Sequence, residues 1–183
     1  MEDQEGEFAY VFIEAANPGK SVRGLVGKLR DVDRPRVRVR FATVTVGAYE
    51  GFAVVQGLEL SDLESFLQEE EEEGVWADQK SAHVEGEKGH RPFKRDGCQM
   101  LAIVRIQTKH GESQAVFNKL SGLVQSEEGY HGVSMVFGTF DILLSLDAPD
   151  LDTLKGLVID LQTMPGLDGI ARTETAFADC RET

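Results

Sequence analysis

The chain has 183 residues, 41% of them hydrophobic, and a formal net charge of −13. This composition is typical of a soluble globular protein, and the length allows one large domain or two small ones. The negative charge opposes direct nucleic-acid binding, which depends on Lys and Arg neutralising phosphates. No apolar run approaches the roughly 20 residues that span a bilayer. The acidic start, M-E-D-Q-E, is not a secretory signal, and we therefore predict a cytoplasmic protein without membrane contact.

The first half alternates strand and helix patterns. Val22, Leu25, Val26 and Leu29 follow the spacing of an amphipathic helix, and the pattern S-x-x-E at Ser61 predicts the start of a second helix. That helix continues into a run of glutamates, which we interpret as a solvated end because the charges repel one another. Strands are predicted at residues 8–15, 37–46, 52–56 and 76–84.

The second half repeats this order more clearly. Phe117, Leu120 and Leu123 mark one helix, and a second helix carries a stripe of leucine and valine at residues 154–161. Either Asp150 or Asp152 is expected to start that helix. Residues 127–132 are predicted to form a loop. Strands are predicted at residues 100–106, 133–137, 142–146 and 170–178.

A hairpin at Gly138 and Thr139 has a counterpart earlier in the chain. Gly47 precedes Gly138 by 91 residues, and the pairs Tyr49/Phe140 and Glu50/Asp141 have the same spacing. Glycine supplies the positive φ that a tight hairpin needs. We therefore predict an internal repeat of about 90 residues.

Each repeat has the order β-α-β-β-α-β, which predicts an α+β protein made of two tandem ferredoxin-like units. The expected boundaries are residues 1–85 for the first, diverged unit, 86–97 for a linker and 98–183 for the second unit. One sheet face of each unit lacks helices. We expect the two sheets to pack face to face on these sides as an α/β barrel.

Few residues indicate chemistry by spacing alone. The four histidines lack metal-binding spacing, so neither a metal site nor a cofactor is predicted. His131 is the best single candidate for a ligand or base, although an exposed loop histidine is the favoured interpretation. Cys98 and Cys180 are interpreted as reduced and structural. Basic residues in the linker are interpreted as solvated first and as a nucleic-acid contact second.

The second half resembles the effector-binding domain of the Lrp/AsnC transcriptional regulators. The resemblance runs from Met100 to Phe177 and includes M-L-A-I-V-R-I, G-T-F-D, D-A-P-D-L-D-T-L, M-P-G-L and the closing T-E-T. The first half resembles the same domain more loosely, with Glu50 in place of the aspartate. The helix-turn-helix that precedes this domain in the regulators has no counterpart before the first predicted strand.

The resemblance implies a dimeric α/β barrel that binds a small effector, such as an amino acid, near the hairpin loops. Carried over by position, the candidate ligand-binding residues are Gly138, Thr139, Phe140, Asp141, Thr173 and Thr175, with Gly47, Tyr49 and Glu50 as weaker counterparts. A carboxylate there would receive an ammonium group.

The leading functional prediction is a non-enzymatic sensing or assembly module, without catalytic residues, that forms a homo-oligomer or associates with a regulator. Two alternatives stay open. One is a barrel enzyme of the monooxygenase or haem-protein type, since the fold alone does not decide function. The other is a structural module in which the hairpin carboxylates only stabilise turns.

Overall fold

The structure is a computed structural model that describes residues 7–14, 21–32, 34–72, 78–84 and 99–180. It shows a mixed α+β fold with a four-stranded sheet and two helices in each half. The chain divides into two compact units, the first covering the described residues up to Val84 and the second those from Gln99 onward. The predicted linker, residues 86–97, lies outside the described residues, as does Cys98.

The first unit contains two helices and five strands within the described residues. In chain order they are β1 (Glu7–Glu14), α1 (Val22–Arg30), β2 (Val37–Val44), the two-residue β3 (Val46–Gly47), β4 (Gly51–Gly57), α2 (Leu60–Glu72) and β5 (Asp78–Val84). The four longer strands form an antiparallel sheet in the order β2-β4-β1-β5. This is the strand order of the ferredoxin-like arrangement.

Alternation along the strands separates the two faces of the first sheet. One face packs beneath both helices, where Leu29 and Leu63 are fully buried together with Val11 of β1. The other face carries the aromatic residues Tyr10 and Phe12 of β1 and Phe52 of β4. Each of these is at most 1% exposed, so the face without helices is also buried.

The second unit has the same element order apart from β3, which has no counterpart there. Its elements are β6 (Met100–Thr108), α3 (Ser113–Ser126), β7 (Tyr130–Phe137), β8 (Ile142–Ala148), α4 (Leu151–Thr163) and β9 (Ile170–Asp179). The strands form an antiparallel sheet in the order β7-β8-β6-β9, again the ferredoxin-like order.

The core beneath α3 and α4 takes every second residue of the central strands. Val104 and Ile106 of β6, with Leu144 of β8, lie in this core against Leu120 of α3 and Leu154 of α4. The intervening residues Leu101, Ile103 and Arg105 project from the opposite face, which carries no helix of this unit. All three of these residues are at most 4% exposed.

The helix starts differ in part from the predictions. Asp150 is the N-cap of α4 and accepts a hydrogen bond from the Thr153 backbone N–H at 2.8 Å, so it starts the helix rather than Asp152. The predicted capping role of Ser61 is wrong. Helix α2 begins at Leu60, and the Asp62 carboxylate accepts the Glu59 backbone N–H at 2.9 Å instead. The Asp62 carboxylate therefore satisfies the backbone N–H of Glu59, which is a different donor from the one that a Ser61 cap would have satisfied.

Strand β7 begins at Tyr130, so the loop predicted at residues 127–132 is three residues shorter. The register against β8 shifts between Tyr130 and Gly132, which makes His131 part of a strand irregularity. His131 is 8% exposed, and the interpretation as an exposed loop histidine is therefore wrong. A bulge admits one extra residue and hides the strand pattern from sequence periodicity.

Two further predictions concern the environment of the chain. No helix in the described part of the chain is long and apolar enough to cross a membrane. Cys180 follows β9, is 1% exposed and is disulfide-bonded, so its interpretation as a reduced residue is wrong. The only other cysteine of the chain is Cys98.

Candidate functional site

The two hairpins that the sequence predicts to be counterparts share one geometry. Gly47 and Gly138 have φ of 136° and 140°, a region in which side chains other than glycine are strained. The Glu50 N–H donates to the Ile13 carbonyl at 3.0 Å, and the Asp141 N–H donates to the Ile106 carbonyl at the same distance. Each hairpin is thereby tied to the first strand of its own unit.

In the second unit, the Asp141 carboxylate holds the end of β6. Its Oδ2 accepts the Thr108 backbone N–H at 2.7 Å and the Thr108 hydroxyl at 2.9 Å. The Thr108 hydroxyl also lies 2.7 Å from the Ser113 hydroxyl at the start of α3. Asp141 therefore links the hairpin to β6 and, through Thr108, to a helix, which is a structural use of the carboxylate.

Next to Asp141, the ring of Phe140 lies beneath a buried arginine. The Arg105 guanidinium carbon is 5.6 Å from the Phe140 ring centroid, and the ring is 6% exposed. Arg105 Nη2 also forms an ion pair with Glu174 Oε2. Glu174 Oε1 accepts from Arg172 Nη2 at 2.7 Å. Glu174 is thus shared by a buried and an exposed arginine.

The strand register separates the two threonines from this cluster. Glu174 pairs with Arg105, whereas Thr173 and Thr175 pair with Ile106 and Val104 on the helix side of the sheet. Because successive side chains point to opposite faces, the threonines and Glu174 lie on different faces. Gly138 and Thr139 are exposed at the hairpin turn. The structure therefore brings Phe140 close to Arg105 and leaves Thr173 and Thr175 apart from it.

In the first unit, the position that corresponds to Arg105 is aromatic. Phe12 and Tyr49 form an edge-to-face pair, with ring centroids 4.7 Å apart and planes at 79°. Phe52 lies 5.3 Å from Phe12, and Tyr10 stacks on Phe52 at 6.0 Å. Tyr49 is 1% exposed inside this cluster, while Glu50 is exposed. The two units thus carry an apolar and a charged version of the same strand–hairpin contact.

Sequence reasoning missed Arg105 and Glu174. The signal was present, because Arg105 is the only charged residue in the apolar strand M-L-A-I-V-R-I. A strand that is apolar on both faces leaves a charged side chain no exposed surface. A buried guanidinium is costly unless a carboxylate pairs with it. Glu174 can supply that carboxylate, because it alternates with Thr173 and Thr175 along β9 and lies on the face opposite to theirs.

His131 was the candidate ligand for the haem alternative, and its surroundings do not fit a haem. The residues opposite it across the β7–β8 irregularity, Ser145 and Leu146, are 1% and 0% exposed. A porphyrin needs open space beside its axial ligand, and the His131 residue itself is only 8% exposed. Among the described residues, no group of three histidine, cysteine or acidic side chains is placed to hold a metal ion.

Comparison with known proteins identifies the fold. No known protein-family profile and no curated protein matches the sequence significantly. Among solved structures, an anthrone oxidase-like protein aligns with a TM-score of 0.59 and 10% identity over 97% of this chain and 92% of its own. Chlorite dismutase from Candidatus Nitrospira defluvii aligns with a TM-score of 0.58 and 13% identity over 95% and 91%.

A putative monooxygenase from Lactobacillus acidophilus NCFM also aligns over nearly the whole chain. Its TM-score is 0.55, with 11% identity over 95% of this chain and 93% of its own. These similarities extend through both units. The chain therefore shares its mixed α+β fold with an anthrone oxidase-like protein, a chlorite dismutase and a putative monooxygenase.

These findings correct the family and function predictions. The assignment to the Lrp/AsnC regulators is wrong, because the structures that align over the whole chain are an oxidase-like protein, dismutases and monooxygenases. The predictions of a non-enzymatic sensing module and of a role in transcription regulation are wrong for the same reason. The motifs quoted for the resemblance describe ferredoxin-like strands and turns that several families share.

Proposed function

We propose that the protein is an oxidoreductase that oxidises an organic substrate with dioxygen beside Arg105 of the second unit. The observation that carries the proposal is the buried guanidinium, which lies over the Phe140 ring and pairs with Glu174 on the sheet face without helices. The likeness to an anthrone oxidase-like protein and to a monooxygenase supports the reaction class. If the proposed function is wrong, the description of the fold still holds.

Arg105 would stabilise the negative charge that forms on the substrate during the reaction. Oxidation of an anthrone by dioxygen yields the anthraquinone and water, and it begins with loss of a proton from the CH2 carbon, which leaves negative charge on the carbonyl oxygen. A guanidinium already fixed in a buried site stabilises such charge without reorganising. The flat ring of Phe140 supplies an apolar surface beside it. Removing one such fixed donor costs about 100-fold or more in kcat.

The finer architecture is part of the same proposal. We infer two tandem ferredoxin-like units, residues 1–85 and 98–183. What supports the duplication is that the longer strands of each unit have the same order, β2-β4-β1-β5 in the first and β7-β8-β6-β9 in the second. The partner in this proposal is a small organic molecule. A homo-oligomer and a cytoplasmic location stay predictions, which solution mass and localisation experiments check.

The test is oxygen uptake by the purified full-length chain with anthrone as substrate. We expect wild-type protein to accelerate uptake and to form anthraquinone in a 1:1 ratio to oxygen. The Arg105→Lys variant keeps the positive charge but loses the planar donor pair, and we expect its turnover to fall. The control is Arg38→Gln, which removes an exposed arginine of β2. Equal rates in wild-type, Arg105→Lys and Arg38→Gln proteins would reject the proposed role of Arg105.

A further inference from the structure

Glu174 is held between two arginines that differ in exposure. Its Oε2 pairs with Arg105 Nη2, and its Oε1 accepts from Arg172 Nη2 at 2.7 Å. The side chain of Arg105 is 5% exposed, that of Glu174 29% and that of Arg172 68%. The three side chains therefore form a series from the buried face of the sheet to solvent, with the carboxylate in the middle.

The position of each group decides which of them can move. Arg105 is fixed by burial in the sheet and by its contact with the Phe140 ring. Glu174 is partly exposed and lies on β9. Its second oxygen is already engaged by Arg172. Rotation toward Arg172 would break the contact with Arg105 while the carboxylate keeps an ionic partner.

We propose that Glu174 is an anion gate: a small carboxylate or oxyanion group of the substrate replaces it on Arg105, while Glu174 stays paired with Arg172. This inference rests on the proposed function and narrows its substrate class to organic molecules with an oxygen that is anionic while it lies on Arg105, as in deprotonated anthrone. The guanidinium favours this class because it donates two parallel N–H groups to a carboxylate. The neutral form of such a molecule would not compensate the loss of the Glu174 carboxylate, so the exchange accompanies formation of the anionic form.

The proposed gate predicts opposite effects on anion affinity for substitutions of Glu174 and of Arg172. Replacing Glu174 with glutamine removes the competing charge, so an added anion should bind Arg105 more tightly. Replacing Arg172 with glutamine removes the group that retains Glu174, so the carboxylate should stay on Arg105 and the anion should bind less tightly. A hydrogen bond to a charged group is worth about 1.5–3 kcal/mol, which corresponds to about 10- to 100-fold in affinity.

The experiment measures the binding of benzoate to the full-length chain by isothermal titration at constant ionic strength. We expect the dissociation constant to fall about 10-fold or more in Glu174→Gln and to rise by a similar factor in Arg172→Gln. In Arg105→Lys the benzoate affinity should fall, because lysine lacks the planar pair of donors. Arg38→Gln is the matched control, since it removes an exposed arginine from the first unit and should leave the constant unchanged.

Three results would overturn the gate. One is an equal or weaker benzoate affinity in Glu174→Gln than in wild-type protein. The second is a loss of affinity in Arg38→Gln as large as in Arg172→Gln, which would mark a general charge effect. The third is no detectable binding in both wild-type and Glu174→Gln proteins. Glu174→Gln keeps the size of the side chain, so the experiment remains decisive if Arg105→Lys does not fold. Because the readout is binding, it stands apart from any failure of the oxidation assay.

Discussion

Replacing Asp141 with alanine tests whether the hairpin carboxylate holds the second unit together. The carboxylate accepts two hydrogen bonds from Thr108, at 2.7 and 2.9 Å, and is half-buried. Deletion leaves the Thr108 N–H without this acceptor at the end of β6. Hydrogen bonds to charged groups are worth about 1.5–3 kcal/mol each when buried, and partial exposure lowers that value. We therefore expect a loss of about 2 kcal/mol for the pair.

The assay is thermal and urea unfolding of Asp141→Ala beside Glu50→Ala. Glu50 occupies the equivalent hairpin position of the first unit but is exposed. A loss of 1 kcal/mol lowers the melting temperature of a chain of this size by about 2–4 °C, so Asp141→Ala should melt about 4–8 °C lower. Glu50→Ala should stay within about 0.5 kcal/mol of wild-type protein, as surface substitutions do.

A double-mutant cycle with Thr108→Val assigns the loss to the contact. If the carboxylate acts through Thr108, the two substitutions together should cost clearly less than the sum of the single losses. Two outcomes would refute the structural reasoning. One is a cost for Asp141→Ala no larger than that for Glu50→Ala, and the other is additive losses in the cycle.

Three further predictions concern backbone conformation and charge. Gly138→Ala should destabilise the chain by about 1–3 kcal/mol in urea unfolding, because its φ of 140° is strained for a side chain. Gly122→Ala should stabilise α3 by about 0.5–1 kcal/mol, since a Cβ there meets no atom within 4 Å. Hydrogen bonds from the Thr153 N–H and hydroxyl lower the pKa of Asp150, so its contribution to stability is present above the unfolded pKa and is lost as pH falls through the folded one. Asp150→Asn should therefore reduce the difference in unfolding free energy between about pH 6 and about pH 3.

The order of strands and helices was predictable because it depends on local patterns. Val22 to Leu29 follow a helical period, and the apolar alternation around Leu144 follows a strand period, both without help from distant residues. The positive φ at Gly47 and Gly138 was also predictable, since a tight hairpin favours glycine at such a position.

The charged cluster was not predicted, because its members meet only through the sheet. Arg105 and Glu174 are separated by 69 residues and become neighbours through the pairing of β6 with β9. Thr173 and Thr175 were grouped with the hairpin by resemblance, whereas the register places them on the helix side. The strand irregularity at His131 left no periodic pattern in the sequence. His131 was therefore predicted to lie in a loop, whereas it is buried within a strand.

The most direct test of the proposed chemistry is kcat for anthrone oxidation by Arg105→Gln, measured at saturating substrate beside Arg38→Gln. Both variants lose one positive charge, but only the first removes the buried guanidinium. The proposal predicts a kcat at least about 100-fold lower for Arg105→Gln and a wild-type value for Arg38→Gln. A folded Arg105→Gln protein that turns over at the wild-type rate, or a wild-type protein that consumes no oxygen, would contradict it.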